Sequence, residues 1–534
     1  MMKKLLAFML IFTMIFSLAA CSKPAENTTD AGEGGTSAQE GPKYKDTIVF
    51  APNTDVQSLD PHVQNDTTSE QVVKMLYNTL LKFDENGNVV GDLAESWEVS
   101  EDNKTWTFQL KQGVKFHDGT EMTAEHVKGT YERAMDPANG LVVNEIVKMF
   151  EKVEVVDKYT VSITTTEPYG AMTSLMCNVS LAVMDPAYID KYGMDLGTSA
   201  ESINGTGPYK IKSWERDVEL VLESFDDYYG EKAPTKYIVY RPIPEAAARV
   251  IALETGEVDA IQGVPADDVP RLEATEGLSV YKARSVGQRL FRFGCNDSII
   301  SNTKVRQALV YAVDRQVIID SLFDGLAVPS TAPLAPVTWG YANLGEIKQD
   351  QEKAKQLLAE AGYPDGFKTK IVTTERYAKG VELAEILAAQ FAEIGVEAEI
   401  QVMEWSAFVQ TISGLTAEEF DEPIFIMGAG PSMMDADGGL RGLYTTTLTG
   451  KNDRNYGFYS NKEVDELIDA AMKETDPDKR KELYKRAQEI LYLEDPAGIW
   501  LFDQLTNLAH SSKLQNVTVS PISTITFEKA TILE

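Results

Sequence analysis

A helix that passes directly into a strand restricts the fold of this chain more than any other feature. The helix is indicated by apolar residues at the 3.6-residue spacing of one helix face, namely Leu383, Ile386, Leu387, Phe391 and Ile394. Gly395 follows, where a left-handed glycine commonly ends a helix, and a strand is predicted over Val396–Val402. This succession is typical of α/β proteins, in which helices pack against a sheet.

The remaining pattern adds hairpins in the first half of the chain and helices in the second. Alternating apolar residues predict strands at 106–110, 153–155, 161–163, 218–222 and 237–240. Helical spacing predicts helices at 305–313, 464–471 and 483–491. Beyond its first segment the chain has about 490 residues, more than one hydrophobic core usually holds. We therefore expect a mixed α/β protein of several lobes, with a ligand cleft between lobes.

The first twenty-one residues follow the pattern of a secretory signal. Lys3-Lys4 precedes an apolar run over 5–16, which is too short to be a good membrane span. Leu-Ala-Ala before Cys21 then matches the bacterial lipobox, whose cysteine is diacylated and becomes the new N-terminus. Residues 1–20 are interpreted as a signal peptide and Cys21 as the lipidation site. An ordinary signal peptide with a chance cysteine is the alternative.

The segment that follows Cys21 predicts a flexible tether. Residues 22–42 are rich in Gly, Ser, Thr, Ala and Glu and contain no aromatic residue. Such a composition buries too little apolar surface to offset chain entropy. At about 20 residues the tether would reach roughly 25 Å. Residues 21–45 are interpreted as lipidated cysteine plus tether, which places the protein outside the cytoplasm, at a Gram-positive surface or in a Gram-negative periplasm.

Charge and cysteine content limit the partners of the chain. The formal net charge of −32 argues against nucleic acid and predicts contact with the membrane through the lipid anchor only. Beyond Cys21 the chain has Cys177 and Cys295. These two residues could form one disulfide outside the cell, but buried free thiols are favoured because nothing in the sequence places them within bonding distance.

Catalytic and metal-binding patterns are missing from the sequence. The chain has four histidines and no His-Glu-x-x-His, Gly-x-Ser-x-Gly or phosphate-loop motif. His117 and His126 flank Asp118 and Glu121, but a turn with a solvated histidine explains them better than a metal site does, because no closed ligand set is visible. We therefore predict no enzyme activity, no cofactor and no metal.

A series of ordered motifs resembles a known family. Asn-Gly-Thr-Gly-Pro-Tyr at 204–209, followed by Tyr-Tyr-Gly at 228–230, resembles the peptide/nickel-type solute-binding proteins of ABC importers. Further blocks in the family's order lie at 58–61, 92–100, 105–110, 114–119, 305–315, 354–362 and 477–488. The resemblance extends over roughly 47–533 and is greatest to the dipeptide- and oligopeptide-binding members.

The resemblance implies an α/β, bilobal periplasmic-binding-protein-like fold with a third subdomain, which closes on its ligand by hinge bending. Lobe I would comprise 46–75, 203–284 and 502–534. The extra subdomain would span 76–202, and lobe II would span 285–501. The expected partners are an ABC permease with its ATPase, and the protein itself is expected to be a monomer.

The family's pattern places an acidic anchor for a peptide ammonium within 427–437. Here Ala429 occupies the place of the family's tryptophan, and Ser432 falls nearest the usual aspartate. A serine does not supply a charge, so Asp435 or Asp437 is the expected substitute. This departure leaves the identity of the cargo open.

Other positions match ligand-facing places of the family. Trp405 is expected to wall a side chain or sugar ring, and Arg376 lies where dipeptide binders carry a carboxylate-binding arginine. Core packing is the alternative for Trp405, and a solvated helix start is the alternative for Arg376. Gln288 is a weaker candidate for polar contacts, as are residues 65–68 and 287. Trp500 either lines the cleft or fills the core.

Peptide import is the favoured function from the sequence. The same role for an oligosaccharide or another non-peptide solute is the nearest alternative, and nickel capture has no evident chelator set. A sensory solute receptor would share these features, whereas a hydrolase would need catalytic residues that the sequence lacks.

Overall fold

The computed structural model describes residues 43–84, 87–430, 434–452 and 454–534. The predictions for the signal peptide, Cys21 and the tether lie outside these residues, as does Ser432. Within the described ranges, no helix is both long enough and apolar enough to cross a membrane.

The described chain alternates between strands and helices. The strands are β1 Thr47–Ala51, β2 Leu81–Phe83, β3 Val89–Gly91, β4 Ala94–Val99, β5 Thr105–Leu110, β6 Phe150–Asp157, β7 Thr160–Thr165, β8 Tyr209–Glu215, β9 Glu219–Ser224, β10 Tyr237–Tyr240, β11 Ala260–Gln262, β12 Leu278–Phe293, β13 Ala327–Pro329, β14 Phe367–Thr373, β15 Val396–Val402, β16 Ile424–Ala429, β17 Gly498–Ser511, β18 Leu514–Gln515, β19 Thr518–Val519, β20 Ile525–Thr526 and β21 Thr531–Ile532.

The α-helices are α1 Thr67–Leu76, α2 Ala124–Met135, α3 Met172–Leu175, α4 Pro186–Tyr192, α5 Ala246–Glu254, α6 Val269–Glu273, α7 Thr303–Tyr311, α8 Arg315–Leu322, α9 Gln351–Glu360, α10 Gly380–Ala392, α11 Trp405–Ile412, α12 Ala436–Tyr444, α13 Lys462–Lys473 and α14 Pro477–Glu489. Short 3-10 helices lie at Pro137–Asn139, Val142–Glu145, Val179–Leu181, Gly193–Asp195, Ala200–Ser202 and Ala266–Asp268, and a π-helix lies at Ile490–Glu494.

One eleven-stranded sheet runs through the molecule in the order β15-β14-β16-β12-β17-β11-β1-β10-β9-β8, with β13 paired to β17. At one end β14 lies parallel to β15 and β16, and at the other β1 lies parallel to β10 and β11. The long antiparallel strands β12 and β17 join the two parallel groups. The predicted mixed α/β class is confirmed.

The hydrophobic cores follow this arrangement. The largest core covers β12, β14–β17 and the helices from α7 to α14. Two smaller cores lie around β1, β8–β11 and the C-terminal strands. A fourth core belongs to the separate four-stranded sheet β4-β5-β7-β6 and to helix α2. The division into lobe I, extra subdomain and lobe II stays a prediction.

The helix-then-strand prediction is confirmed by α10 and β15. Gly395 adopts a φ of 83°, the left-handed conformation that ends the helix before Val396 begins its strand. The last predicted helix differs in one respect. After Glu489 the α-helix widens into the π-helix, and the Asp495 N–H donates to the Ile490 carbonyl five residues earlier.

The glycine turn over 204–209 packs against the end of α1. A Cβ on Gly205 would lie 1.9 Å from the Leu76 carbonyl oxygen, and one on Gly207 would lie 2.4 Å from the Met75 oxygen. Neither glycine has a positive φ, so both are needed for close backbone approach rather than for unusual angles.

His117 clamps this turn and is not the solvated histidine that the sequence suggested. Its Nδ1 accepts from the Gly205 N–H at 3.3 Å, and its Nε2 donates to the Gly207 carbonyl at 3.2 Å. Its ring also meets Phe225 edge-on at 5.1 Å between centroids. Burial lowers the pKa of His117 to about 4, so the neutral tautomer holds the turn.

Candidate functional site

The parallel strands of both groups end at the same part of the molecule. In β16 the last residue, Ala429, pairs with Gln288 of β12, and Gln288 pairs with Asp503 of β17. In β11 the last residue, Gln262, pairs with Leu508 of β17. The carboxyl ends of both groups therefore point toward the middle of β17. Ligands of open α/β sheets bind at the carboxyl ends of strands, so this is the expected place for a cleft.

The loops that leave β14 and β15 bring an aromatic and cationic cluster to this edge. Trp405 opens α11, is 37% exposed and stacks on Phe408 at 5.8 Å between centroids. Tyr377 meets the Trp405 ring edge-on at 5.8 Å. The guanidinium of Arg376 lies 5.8 Å from the same indole and is exposed. A half-open indole beside a free cation suits a flat or carboxylate-bearing solute.

Arg289 completes this cluster from β12, and the sequence reasoning missed it. Its guanidinium lies 3.9 Å from the centre of the Tyr377 ring. The Tyr377 hydroxyl accepts from the Gly428 N–H at 3.3 Å, which fixes the ring against β16. A Cβ on Gly428 would come within 3.1 Å of Arg289 Nη1, so glycine leaves the room that the guanidinium fills. The one available signal was a charged residue next to the apolar Leu290 and Phe291 of the same strand.

Gln288 belongs to a buried polar network formed by β12, β17 and the segment that follows β13. Its Nε2 donates to Asp503 Oδ1 at 2.7 Å and to the Ala332 carbonyl at 3.2 Å. Ser330 donates to the same Asp503 oxygen at 2.7 Å. Burial raises the pKa of Asp503, because these neutral donors compensate a desolvated carboxylate only in part. The sequence predicted Gln288 as a site residue but did not predict Asp503 as its partner.

Asp435 is already bound by another part of the chain. It is fully buried, caps α12 through the Asp437 N–H, and accepts two bonds from Arg480 at 2.6 and 2.8 Å. Ser174 also donates to it, at 3.1 Å. An ammonium would have to displace a bidentate guanidinium to use this carboxylate.

Asp437 is similarly engaged. Its carboxylate accepts from Arg441 Nε at 2.9 Å and from the Tyr484 hydroxyl at 3.0 Å. Burial, together with the nearby Asp435, raises the pKa of Asp437. Both candidate anchors therefore belong to one network at the start of α12, in which each carboxylate is paired with an arginine.

The other candidate residues lie in different surroundings. Ala429 is half-buried at the end of β16, next to the described limit of the chain at residue 430. Trp500 is 1% exposed and packs between Tyr444 and Tyr492, each at 5.9 Å, as core packing would have it. In the 65–68 segment, Asp66 caps α1 and Thr68 bonds Thr54 at 2.9 Å.

The described ranges contain neither a group of metal-ligating residues nor a disulfide. Among those residues, no group of three or more histidines, cysteines or carboxylates is placed to hold a metal ion. Cys177 and Cys295 are both free thiols, and each donates to a backbone carbonyl of its own segment. Burial raises the pKa of Cys295 to about 11, which keeps the thiol protonated.

Sequence comparison agrees with this geometry. The family model for bacterial extracellular solute-binding proteins, family 5 (middle region), matches residues 88–451. The glutathione-binding protein GsiB of Salmonella typhimurium is 32% identical over 484 residues, covering 90% of this chain and 94% of that protein. Since these relatives are solute-binding proteins, the prediction that the chain is not an enzyme is confirmed.

Structural comparison gives the same result. HbpA2 from Haemophilus parasuis has a TM-score of 0.83 at 25% identity, covering 91% of this chain and all of that one. The ABC transporter-associated periplasmic binding protein DppA from Helicobacter pylori, solved with the peptide STSA, has a TM-score of 0.71 at 28% identity, covering 90% and 98%. The predicted periplasmic-binding-protein-like fold is confirmed.

Proposed function

Since this chain belongs to the bacterial extracellular solute-binding proteins of family 5, we propose that it captures di- or oligopeptides and delivers them to the permease and ATPase of an ABC importer. The observation that carries the proposal is the cluster of Arg289, Arg376, Tyr377 and Trp405 where the parallel strands end beside the central strands. A relative named for glutathione binding and a structural neighbour solved with the peptide STSA support a peptide cargo.

Closure on the cargo would use the two central strands as a hinge. The register of β12 against β17 shifts between Arg284 and Gln288, so residues 285–287 form an irregularity in the ladder. Such bulges bend a strand without ending it. We assign 285–501 to lobe II, the segments 46–75, 203–284 and 502–534 to lobe I, and 76–202 to the extra subdomain. A bound peptide would favour the closed arrangement.

The cluster supplies two of the contacts that a peptide needs. Trp405 and Tyr377 offer aromatic walls for side chains, and Arg376 offers a fork of donors suited to a carboxylate. Asp435 and Asp437 are occupied by Arg480 and Arg441, so the proposal does not use them as ammonium anchors.

Ligand-induced stabilisation tests the cargo. A solute present at 100 times its Kd raises the free energy of unfolding by about 2.7 kcal/mol if it binds the folded form alone. Thermal unfolding should therefore shift upward with glutathione or the peptide STSA in the wild type, and less in Trp405→Ala. A chain stabilised by a β-glucan tetrasaccharide but by neither peptide refutes peptide capture and favours the oligosaccharide alternative, which the exposed indole of Trp405 also suits.

Membrane retention tests the anchor. We propose that Cys21 is diacylated and that residues 21–45 tether the folded body to the outer face of the membrane, where it works as a monomer. Cys21→Ser should release the protein into the medium or the soluble periplasm. Retention of this variant in the membrane fraction would show that the anchor is not at Cys21.

A further inference from the structure

Arg289 differs from every other buried arginine in the described part of the chain. Seven arginines there are at least nine-tenths buried, and six of them have a hydrogen-bond acceptor. These acceptors are the carboxylates bound by Arg133, Arg306 and Arg480 and the backbone carbonyls bound by Arg249, Arg292 and Arg315. Arg289 is 6% exposed, and no described carboxylate or backbone carbonyl accepts from it; its Nη1 has no partner among the described residues, as also holds for Nε of Arg292 and Nη2 of Arg315.

The surroundings of Arg289 compensate its charge only weakly. The face of the Tyr377 ring lies 3.9 Å away, and no described carboxylate lies within ion-pair distance. A buried cation without a counter-charge is costly, and a cation–π contact replaces only part of the lost hydration. Burial accordingly lowers the pKa of Arg289. Apart from Tyr377, no described side chain is placed to compensate this guanidinium.

Position connects Arg289 with the cleft. Arg289 follows Gln288 on β12 and pairs with Gly428 of β16, one residue before that strand reaches the ligand-facing edge. Trp405, which meets Tyr377 edge-on, and Arg376, 5.8 Å from that indole, stand at the same edge. A solute lying against these aromatic rings would bring its own polar groups toward two guanidiniums.

We propose that Arg289 is the docking point for a carboxylate of the cargo, and that the site selects anionic peptides, whose carboxylates outnumber their ammonium groups. This inference rests on the proposed function. A second observation that supports it is that Asp435 and Asp437 are already paired with arginines. Asp435 is held by Arg480 and Asp437 by Arg441, so neither of these carboxylates opposes Arg289 and Arg376, the two cations of the cluster.

The test is calorimetric titration of the full chain with three probes: glutathione, which has two carboxylates and one ammonium, its diethyl ester, and Ala-Ala-Ala. A hydrogen-bonded charge pair is worth about 1.5–3 kcal/mol, so the wild type should bind glutathione about 10- to 100-fold more tightly than the diester. Arg289→Met should reduce that preference about 5-fold or more, since Arg376 still meets the second carboxylate, and Arg289→Lys should fall between.

The matched control is Arg292→Met, three residues along the same strand. Arg292 donates to the Leu443 carbonyl, so its loss should lower the unfolding temperature while leaving the preference for glutathione intact. An Arg289→Met variant that keeps the wild-type preference overturns the proposal. So does a wild type that binds Ala-Ala-Ala as tightly as glutathione, although peptide capture then still stands.

A ligand-free measurement separates this inference from the proposed function. Replacing an unpaired buried charge by an apolar side chain should leave the unfolding temperature of Arg289→Met unchanged or raise it by about 1–3 °C. A drop of more than about 3 °C would show that Arg289 serves the fold and would overturn the proposal even if no peptide binds. A wild type that binds none of the peptides refutes peptide capture and this inference with it, whereas a drop in the unfolding temperature of Arg289→Met overturns this inference alone.

Discussion

Protonation of His117 should loosen the glycine turn over 204–209, which packs against the end of α1. At neutral pH the ring accepts from Gly205 and donates to Gly207, and a second proton on Nδ1 would replace that acceptor with a donor facing the Gly205 N–H. The perturbation is a fall in pH from 7.5 to 5. The variant that isolates it is His117→Gln, which keeps a donor and an acceptor but does not titrate.

The expected magnitude follows from the pKa. Burial lowers the pKa of His117 from 6.5 to about 4, so the unfolded chain binds the proton more tightly than the folded chain does. The stabilisation is therefore complete above pH 6.5 and is lost as the pH falls toward 4, by about 3 kcal/mol in all. Between pH 7.5 and pH 5 the loss should be about 2 kcal/mol.

Urea unfolding at the two pH values provides the assay. Wild type and His117→Gln will both lose stability in acid, because burial also lowers the pKa of His62 and His126. The variant should lose about 2 kcal/mol less than the wild type does. Equal losses, within about 0.5 kcal/mol, would refute the assignment to His117. As a control, Asn204→Ala removes an acceptor from the Asp118 N–H and a donor from Asp185, neither of which is a bond of the His117 ring, and should cost the same at both pH values.

Three further changes test the buried contacts. Asp435→Asn keeps the helix cap but leaves the Arg480 guanidinium uncompensated, so urea unfolding at pH 7 should show a loss of about 3–5 kcal/mol. Asp503→Asn keeps the acceptor oxygen but cannot ionise. Because burial raises the pKa of Asp503, the wild type loses stability as the pH rises through that pKa and the carboxylate ionises. The variant should therefore have the higher urea midpoint at pH 7 and should not show this loss of stability between acid and neutral pH. Gly205→Ala places a Cβ 1.9 Å from a carbonyl oxygen and should lower stability by about 3 kcal/mol or more, measured by thermal unfolding.

Local sequence pattern was sufficient for many of the elements. The strands Tyr237–Tyr240 and Val396–Val402 appear with the predicted bounds, and Gly395 ends the preceding helix as expected. In each case the periodicity of apolar residues and the residue at the boundary carry the information, and both lie within about ten positions along the chain.

The site was less accessible to sequence reasoning because its contacts join distant segments. Asp435 reads as a spare carboxylate until α14 folds back and brings Arg480, 45 residues away, against it. His117 lies in a polar turn, and the backbone that buries it is 88 residues further on. Arg289 and Arg292 look alike in the strand, and contacts with distant segments distinguish them: Arg292 donates to the Leu443 carbonyl, 151 residues away, whereas Arg289 lies over Tyr377.

The pairing of β12 with β17 has a consequence for how such proteins diversify. Arg284 pairs with Leu505, and Gln288 pairs with Asp503. Residues 288–503 therefore begin and end on neighbouring strands, about 5 Å apart. That stretch carries Arg289, Arg376 and Trp405 without interruption. Recombination between two relatives would need only two crossover points, both in the β12–β17 pairing, to exchange these recognition residues together.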